Sequence, residues 1–382
     1  MKRKIAIVQP YIPRYRMPLF EQLGQDGEWT IHVIADIEAP NQLNQYREFV
    51  SPNAQFKVTH VPVTHVGPFT LRPGLERAIE QLDPDATIFT CNPRDIGQYR
   101  LMRKHRQKKR LLGLWGMFYR IGKRRAWSEY VMREMGHMAS RVFCYGERDT
   151  KEMITRGIDR EKLVTLHNAI DHSEAIAARE CLSADEIDGF RRRNAIEGKR
   201  VLLQVVRIYP IKRTDLLLRM FARLVQSRDD VELVLIGGGP DEQAMKRLAR
   251  ELSVSDNVRF LGPIYDETEL SLWFSSADLF VIATCAGFSL HHAMCHGLPA
   301  VTDDSVRTQT SESEALVDEV TGLRYRAGDV DDFSRKVCRI LDDSEFASTL
   351  SRNAIERITR HYTLDSMAER FRAGIHEILK AA

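Results

Sequence analysis

The sequence predicts an α/β protein built from two doubly wound, parallel-sheet halves, and three observations predict it. Short apolar runs alternate with segments of helical spacing along the whole chain. That rhythm breaks once, from about Asp171 to Lys199, and restarts at Val201. The length, 382 residues, suits two domains of ordinary size. Sheets of this kind bind ligands outside the carboxyl ends of their strands, so two halves facing each other place the expected site in the cleft between them.

In the first half, strand-like runs are Ile5–Val8, Trp29–Ala35, Phe56–Val63, Ala86–Thr90, Leu111–Trp115, Val142–Tyr145 and Leu163–Leu166. Helical spacing covers Arg16–Leu23, Pro73–Leu82, Arg94–Arg106, Lys123–Met138 and Asp149–Arg156. Pro73 opens a helix and Gly157 follows one, the expected punctuation. The longest loop is Asp36–Gln55. The polar stretch 173–198 reads as a helical linker between domains 1–172 and 199–363. Strands then recur at Val201–Ile208, Val231–Ile236, Val258–Leu261, Leu279–Ala283, Ala300–Thr302 and Leu323–Tyr325. The helices are Thr214–Gln226, Asp241–Leu252, Glu267–Ser276, Ser289–His296, Val330–Asp342, Phe346–Tyr362 and Leu364–Leu379.

The 43% hydrophobic and 29% charged content is that of a soluble globular protein. No apolar run approaches the ~18 residues of a transmembrane helix. The apolar run after Met1-Lys-Arg-Lys ends at Gln9-Pro10 and reads as a first strand, not a signal peptide. Six cysteines without a C-x-x-C pair fit reduced thiols and a cytoplasmic setting. Residues 1–197 carry 32 Lys+Arg against 25 Asp+Glu, whereas 198–382 carry 24 against 28. Between Arg100 and Arg125 stand eleven basic residues and no acidic one. That stretch is either a solvated face or a contact for an anionic membrane surface or phosphorylated acceptor. Trp115, Phe118, Tyr119 and Trp127 among the charges favour a lipid interface. No nucleic-acid motif accompanies them, so no nucleic-acid partner is expected.

The richest stretch is Ala283–Val301. An apolar strand runs into Ala286-Gly287, then a short helix that Gly297 and Pro299 stop. A strand, a glycine turn and a helix N-terminus form an anion site, with free N–H groups and the helix dipole aimed at the ligand. Arg207 and Lys212, after another strand, suit a diphosphate whose charge builds on departure. Gly237-Gly-Gly-Pro240 is a tight turn or a phosphate cradle. The first strand runs into Gln9-Pro10 with no G-x-G-x-x-G, which disfavours a nicotinamide or flavin dehydrogenase. A P-loop is absent as well. His292 and His296 lie one helical turn apart, but no third ligand and no H-E-x-x-H glutamate stand beside them, so no metal is expected. Asn92-Pro-Arg94 and Trp115-Gly116 close strands of the first half and are open to a turn reading.

The ordered set Val205–Lys212, Val234–Pro240, Val258–Gly262, Ala277–Val281, Gly287-Phe-Ser-Leu290, His292-Ala-Met294, Gly297-Leu-Pro299 and Glu314 before Gly322 resembles the retaining nucleotide-sugar glycosyltransferases of family 4. The resemblance covers most of residues 201–345 and implies the GT-B fold, two Rossmann-like domains facing each other across a cleft. Tyr145-Gly-Glu147, Leu166–Asp171, Tyr15-Arg16, Asn92-Pro-Arg94 and Trp115-Gly116 resemble segments of the same family in the first half. The resemblance implies that the last helix, 364–382, packs back on the acceptor-binding domain. It implies that Arg207 and Lys212 grip the donor diphosphate and assist its departure, that Gly287, Phe288 and Ser289 contact phosphate and sugar, and that Glu314 stands on the donor side. Arg16, Asn92 and Arg94 would serve the acceptor side. No divalent metal or other cofactor is required. The implied partners are a nucleotide-sugar donor and a glycan or lipid-linked acceptor, and the implied location is the cytoplasm or the inner face of a membrane.

The chain departs from the family pattern. The positions of the Glu-x7-Glu pair hold Thr284 and His292, neither acidic. A histidine can still make a hydrogen bond to a ribose hydroxyl, and Thr284 keeps a hydroxyl for the donor sugar. Met117 stands where one branch of the family has a histidine, and Val206 where a glycine precedes the arginine. Two rival readings follow: an inactive GT-B-like binding protein of a glycan-assembly complex, and a nucleotide-sugar epimerase.

Overall fold

The structure is a computed structural model and describes residues 2–38, 50–119 and 125–380. Most of the long loop Asp36–Gln55 and the basic residues Arg120, Lys123 and Arg124 therefore lie outside the described residues. The chain divides into two compact units, Met1–Asp171 with Thr363–Ala382, and His172–Tyr362.

The strands of the first unit are β1 (Arg3–Val8), β2 (Trp29–Ala35), β3 (Phe56–His60), β4 (Thr64–Val66), β5 (Phe69–Leu71), β6 (Ala86–Thr90), β7 (Leu111–Gly116), β8 (Arg141–Cys144) and β9 (Leu163–Thr165). Seven form a sheet in the order β3-β2-β1-β6-β7-β8-β9. Every pairing in that sheet is parallel. Strand neighbours alternate between the two faces. Ile5 and Ile7 join the core on one face, while Ala6 and Val8 join the core on the other. A sheet covered on both faces needs apolar residues at every position, hence runs rather than alternation. β4 and β5 form a separate antiparallel hairpin that turns at Gly67, whose φ is +56°. The sequence reading missed it, because all three residues of β4 are exposed and leave no apolar period.

One face of this sheet is closed by the helix Leu364–Lys380, whose Met367, Phe371, Ile375 and Ile378 are fully buried. Phe371 stacks on Phe143 at 4.4 Å and meets Trp115 edge-on at 5.1 Å. A Cβ at Gly374 would sit 2.3 Å from the Phe143 ring, so the bare glycine lets the helix approach this closely.

The second unit holds β10 (Arg200–Val205), β11 (Val231–Ile236), β12 (Val258–Gly262), β13 (Leu279–Val281), β14 (Ala300–Asp303) and β15 (Gly322–Tyr325). Their order is β12-β11-β10-β13-β14-β15, again with every strand parallel to its neighbours. Segment 173–198 corrects the linker expected there. Its helices Ser173–Cys181 and Ala184–Arg193 belong to the second unit. Phe190 packs edge-on against Trp273 at 4.9 Å, and Ile196 is fully buried. Arg179 donates to the Cys295 carbonyl at 2.6 Å. The segment is polar because only one side of each helix is covered.

Candidate functional site

In each sheet the first strand is flanked by neighbours reached in opposite winding directions, which opens a crevice at its carboxyl end. In the second unit this switch point lies between β10 and β13. Arg207 follows β10, and the turn Cys285–Gly287 follows β13. Lys212 ties the two, since its Nζ donates to the Cys285 carbonyl at 2.6 Å. Arg207 is exposed and stands over the Tyr209 ring at 5.3 Å. Gly287 caps the helix Phe288–Cys295 with extended backbone, so the N-terminus of that helix lies at the turn. Gly287, Phe288 and Ser289 are half-buried, accessible without being loose. Two cations and a helix N-terminus thus converge on one edge of one sheet, an arrangement suited to a diphosphate.

The turn Gly237–Gly239 brings the Arg207 loop into place rather than forming a cradle of its own. A Cβ at Gly237 would lie 2.0 Å from the Val206 carbonyl oxygen, and one at Gly239 would lie 2.3 Å from that of Ile208. Val206 donates to Ile236 O at 2.9 Å and Ile208 to Gly238 O at 3.0 Å. Backbone packs on backbone here, which only glycine permits.

The turn after β13 is held from beneath by polar groups far away in sequence. Gln309 Oε1 accepts from the Ala286 N–H at 2.9 Å, and Thr310 Oγ1 donates to the Ala286 carbonyl. Gln309 Nε2 reaches Thr302 Oγ1 at 2.8 Å and Asp303 Oδ1 at 2.6 Å. Tyr325 OH donates to Ala283 O at 2.6 Å. Cys285 takes a φ of +56°, a costly conformation that this network enforces. Burial raises its thiol, although Lys212 nearby pulls it the other way.

The two positions lacking their carboxylates both have one close behind. Thr284 Oγ1 bonds Thr308 Oγ1 at 2.8 Å, and Thr308 Oγ1 bonds Asp303 Oδ2 at 3.2 Å. Burial pushes the Asp303 carboxyl up, opposed by its hydroxyl and amide donors. His292 Nε2 lies 2.8 Å from Glu267 Oε1. Asp303, Thr308, Gln309 and Glu267 escape sequence reasoning, because each acts through a long-range contact with no local spacing to mark it. Glu314 lies half-buried in the turn Ser311–Ala315, its carbonyl accepting from Arg357 Nη2 at 3.2 Å.

The remaining candidates sit at the other switch point, between β1 and β6 of the first unit. Asn92 Nδ2 donates to Thr70 Oγ1 at 3.2 Å, and its Oδ1 accepts from the Arg94 N–H at 3.1 Å, a local turn. Arg94 is half-buried and remains at that edge. Arg16 corrects its expected role. It is 4% exposed, donates to Asn168 Oδ1 at 2.5 Å and lies against the Trp115 and Tyr145 rings at 5.2 and 5.4 Å. It therefore holds the loop after β1 onto the core rather than standing open at the crevice. Beside it, Arg72 Nε pairs with Asp95 Oδ2 at 2.9 Å, both side chains almost wholly buried. Met117 is half-buried just beyond β7.

The lipid-facing aromatic cluster also requires correction. Trp115, Phe118 and Tyr119 are fully buried, and of the four only Trp127 is partly exposed, at 37%. Trp115 is on a central strand whose two faces are both covered. Lys104 pairs with Glu76 and Glu80, and Arg110 with Asp83, so part of the basic stretch is neutralised by the neighbouring helix. Among the described residues no helix is long and apolar enough to cross a membrane. All six cysteines are free thiols.

Residues 186–357 match the family model of Glycosyl transferases group 1. D-inositol 3-phosphate glycosyltransferase 2 of Catenulispora acidiphila is 31% identical over 172 residues, 42% of this chain and 39% of that protein. The chain thus spans about two fifths of that relative's length. Among solved structures, a glycosyltransferase from Rickettsia africae has a TM-score of 0.76 at 12% identity, each chain covered in full. Anabaena HepE in complex with UDP has a TM-score of 0.75 at 15% identity, covering 98% of this chain and 100% of its own. The Glycosyl transferases group 1 signature thus coincides with the second unit, and the chain as a whole has the two-Rossmann fold of GT-B proteins.

Proposed function

We propose that this chain is a retaining glycosyltransferase that moves a hexose from a nucleoside-diphosphate donor to a hydroxyl of a glycan or lipid-linked acceptor. The observation that carries the reading is the convergence of Arg207, Lys212 and the Gly287 helix N-terminus at the switch point of the second unit. The family match of residues 186–357 and the UDP held by HepE support it. As the bond from the anomeric carbon to the phosphate oxygen breaks, Arg207 and Lys212 stabilise the charge gathering on the leaving diphosphate. The acceptor hydroxyl forms the new bond on the same face, and its proton passes to the departing phosphate oxygen. Transfer so written needs no metal. Thr284, backed by Thr308 and Asp303, faces the donor sugar, and His292, backed by Glu267, faces the ribose. The acceptor lies with the first unit, near Asn92 and Arg94. The enzyme works in the cytoplasm, and any contact with an anionic membrane rests on exposed cations such as Arg103 and Lys108.

The test is calorimetric titration of UDP and GDP into the full chain and into Arg207→Ala plus Lys212→Ala. Micromolar to low-millimolar binding by the native chain and its loss in the variant is the expected result. Absence of binding to either nucleotide overturns the reading. Binding without transfer or hydrolysis over a broad acceptor panel would instead identify an inactive binding protein, and a new epimer formed without acceptor would identify an epimerase.

A further inference from the structure

Behind the switch point of the second unit, two helices bring three metal-binding side chains together. Glu267 opens the helix Glu267–Ser276, and His292 and His296 lie one turn apart at the end of the helix Phe288–Cys295. One ligand atom from each falls within 4.8 Å of the others. The sequence offered no third donor because Glu267 comes from a different helix.

Several features point to a ligand rather than to a settled polar cluster. Nε2 of His292 and Nε2 of His296 are both buried without a hydrogen bond. Glu267 Oε1 is 2.8 Å from the first of these, yet it does not complete one. A buried imidazole nitrogen left unpaired is costly, and two in one place are unusual. The other nitrogen of His296, Nδ1, meets Ser275 Oγ at 3.1 Å, which can orient the ring with Nε2 toward the cluster. Ser271 Oγ donates to Glu267 Oε1 at 3.4 Å and orients the carboxylate. Both imidazoles stack on Phe274, at 4.6 and 5.3 Å with interplanar angles of 12° and 13°, so neither ring is free to turn away. Such outer partners are the supports that metal-ligating side chains use.

We infer that Glu267, His292 and His296 form a binding site for a divalent cation of the zinc type. Two imidazoles and one carboxylate are a known zinc donor set that leaves a fourth position for water. Ligand atoms around tetrahedral zinc stand about 3.3 Å apart, as metal–ligand distances of about 2.0–2.1 Å require. The cluster spacing, 2.8 Å between His292 Nε2 and Glu267 Oε1 and at most 4.8 Å for any pair, brackets that value. All three residues belong to one compact unit, so the site needs nothing from the other. The transfer chemistry itself uses no metal, but Glu267 and His292 are also the pair that the transferase reading sets at the ribose, so the site is tested by zinc binding rather than by transfer.

Titration of Zn2+ into the full chain, in a Cys181→Ser background to remove the exposed thiol, tests the site. One equivalent should bind and raise the unfolding temperature. Glu267→Gln, which keeps the size and the Ser271 contact, should weaken binding about 100-fold, and His296→Ala should do the same. His172→Ala, a buried histidine outside the triad, should bind zinc as the parent does. The inference is overturned if no stoichiometric binding occurs, or if Glu267→Gln binds as tightly as its parent while its zinc-free unfolding temperature is unchanged.

Discussion

The two sheets have the same winding and the same crevice, but they employ their cations differently. At the β1/β6 switch point Arg16 is buried among Asn168, Trp115 and Tyr145, and Arg72 is buried against Asp95. At the β10/β13 switch point Arg207 is exposed, and Lys212 meets a backbone carbonyl rather than a carboxylate. A carbonyl takes a hydrogen bond but leaves the positive charge unbalanced. One crevice has used its cations to fasten loops against the core, whereas in the other Arg207 stays exposed and Lys212 ties two strand ends beside a helix N-terminus. Topology creates the opportunity, and local pairing decides whether a ligand or the fold takes it.

The largest effect should come from breaking the fastened crevice. Arg72→Ala leaves Asp95 buried without its partner and should cost about 3–5 kcal/mol in urea unfolding. Asp95→Asn should cost a similar amount, because it leaves the Arg72 guanidinium buried without its counter-charge. Next comes the open crevice. Arg207→Ala plus Lys212→Ala should weaken nucleotide binding by about 100-fold or more, at about 1.5–3 kcal/mol for each of the two charged contacts, with little change in unfolding. Equal losses of stability in the two experiments would erase the contrast.

Acid provides a third test, directed at the histidines behind the open crevice. Burial, aided by His292 and Arg179, holds His296 down to about 3, so it stays neutral in the folded chain at neutral pH. Its folded value is below the unfolded value near 6.5, so the stability it confers is present above that pH and is lost as pH falls toward 3. His296→Gln should retain on the order of 2 kcal/mol more of its neutral-pH stability under acid, with nucleotide affinity unaltered. A parallel loss in parent and variant would remove His296 from the acid response.

Gly239→Ala sharpens the comparison further. The added methyl pushes on Ile208 O and displaces the Arg207 loop, so nucleotide affinity should fall about 10-fold with a stability cost of about 1–2 kcal/mol. A separate effect is expected on the surface. Arg103, Lys108 and Lys109 changed together to Ser should weaken co-sedimentation with anionic vesicles by about 1 kcal/mol per charge near the surface. Lys104 should contribute little, because two glutamates already surround it.

Much of this architecture is legible in the chain. The runs Trp29–Ala35, Ala86–Thr90 and Val231–Ile236 are strands with those same bounds, because a strand buried on both faces has to be apolar throughout. Arg207, Lys212 and Gly287 lie at one sheet edge because each follows a strand in a parallel sheet. What stayed hidden depends on distant partners. Arg16 looks like a loop cation until Asn168 and Trp115 arrive, and Trp115 beside basic residues suggests a surface until the helix Leu364–Lys380 covers it. Asp303 and Glu267 stand behind Thr284 and His292 through side-chain contacts that no spacing encodes.

The helix Leu364–Lys380 has a further consequence, in the order of synthesis. It completes the core of the first unit, with Gly374 pressed on Phe143, yet a ribosome makes it only after the whole of His172–Tyr362. Vectorial folding ordinarily completes the N-terminal domain first. Here the unit begun first must wait, with the part of its sheet face around Phe143 lacking its covering helix, while the unit begun second has all its residues before the chain reaches Leu364. The apolar face around Phe143 and Trp115 is thus exposed throughout the growth of the second unit, and a holding chaperone on the nascent chain would find it there.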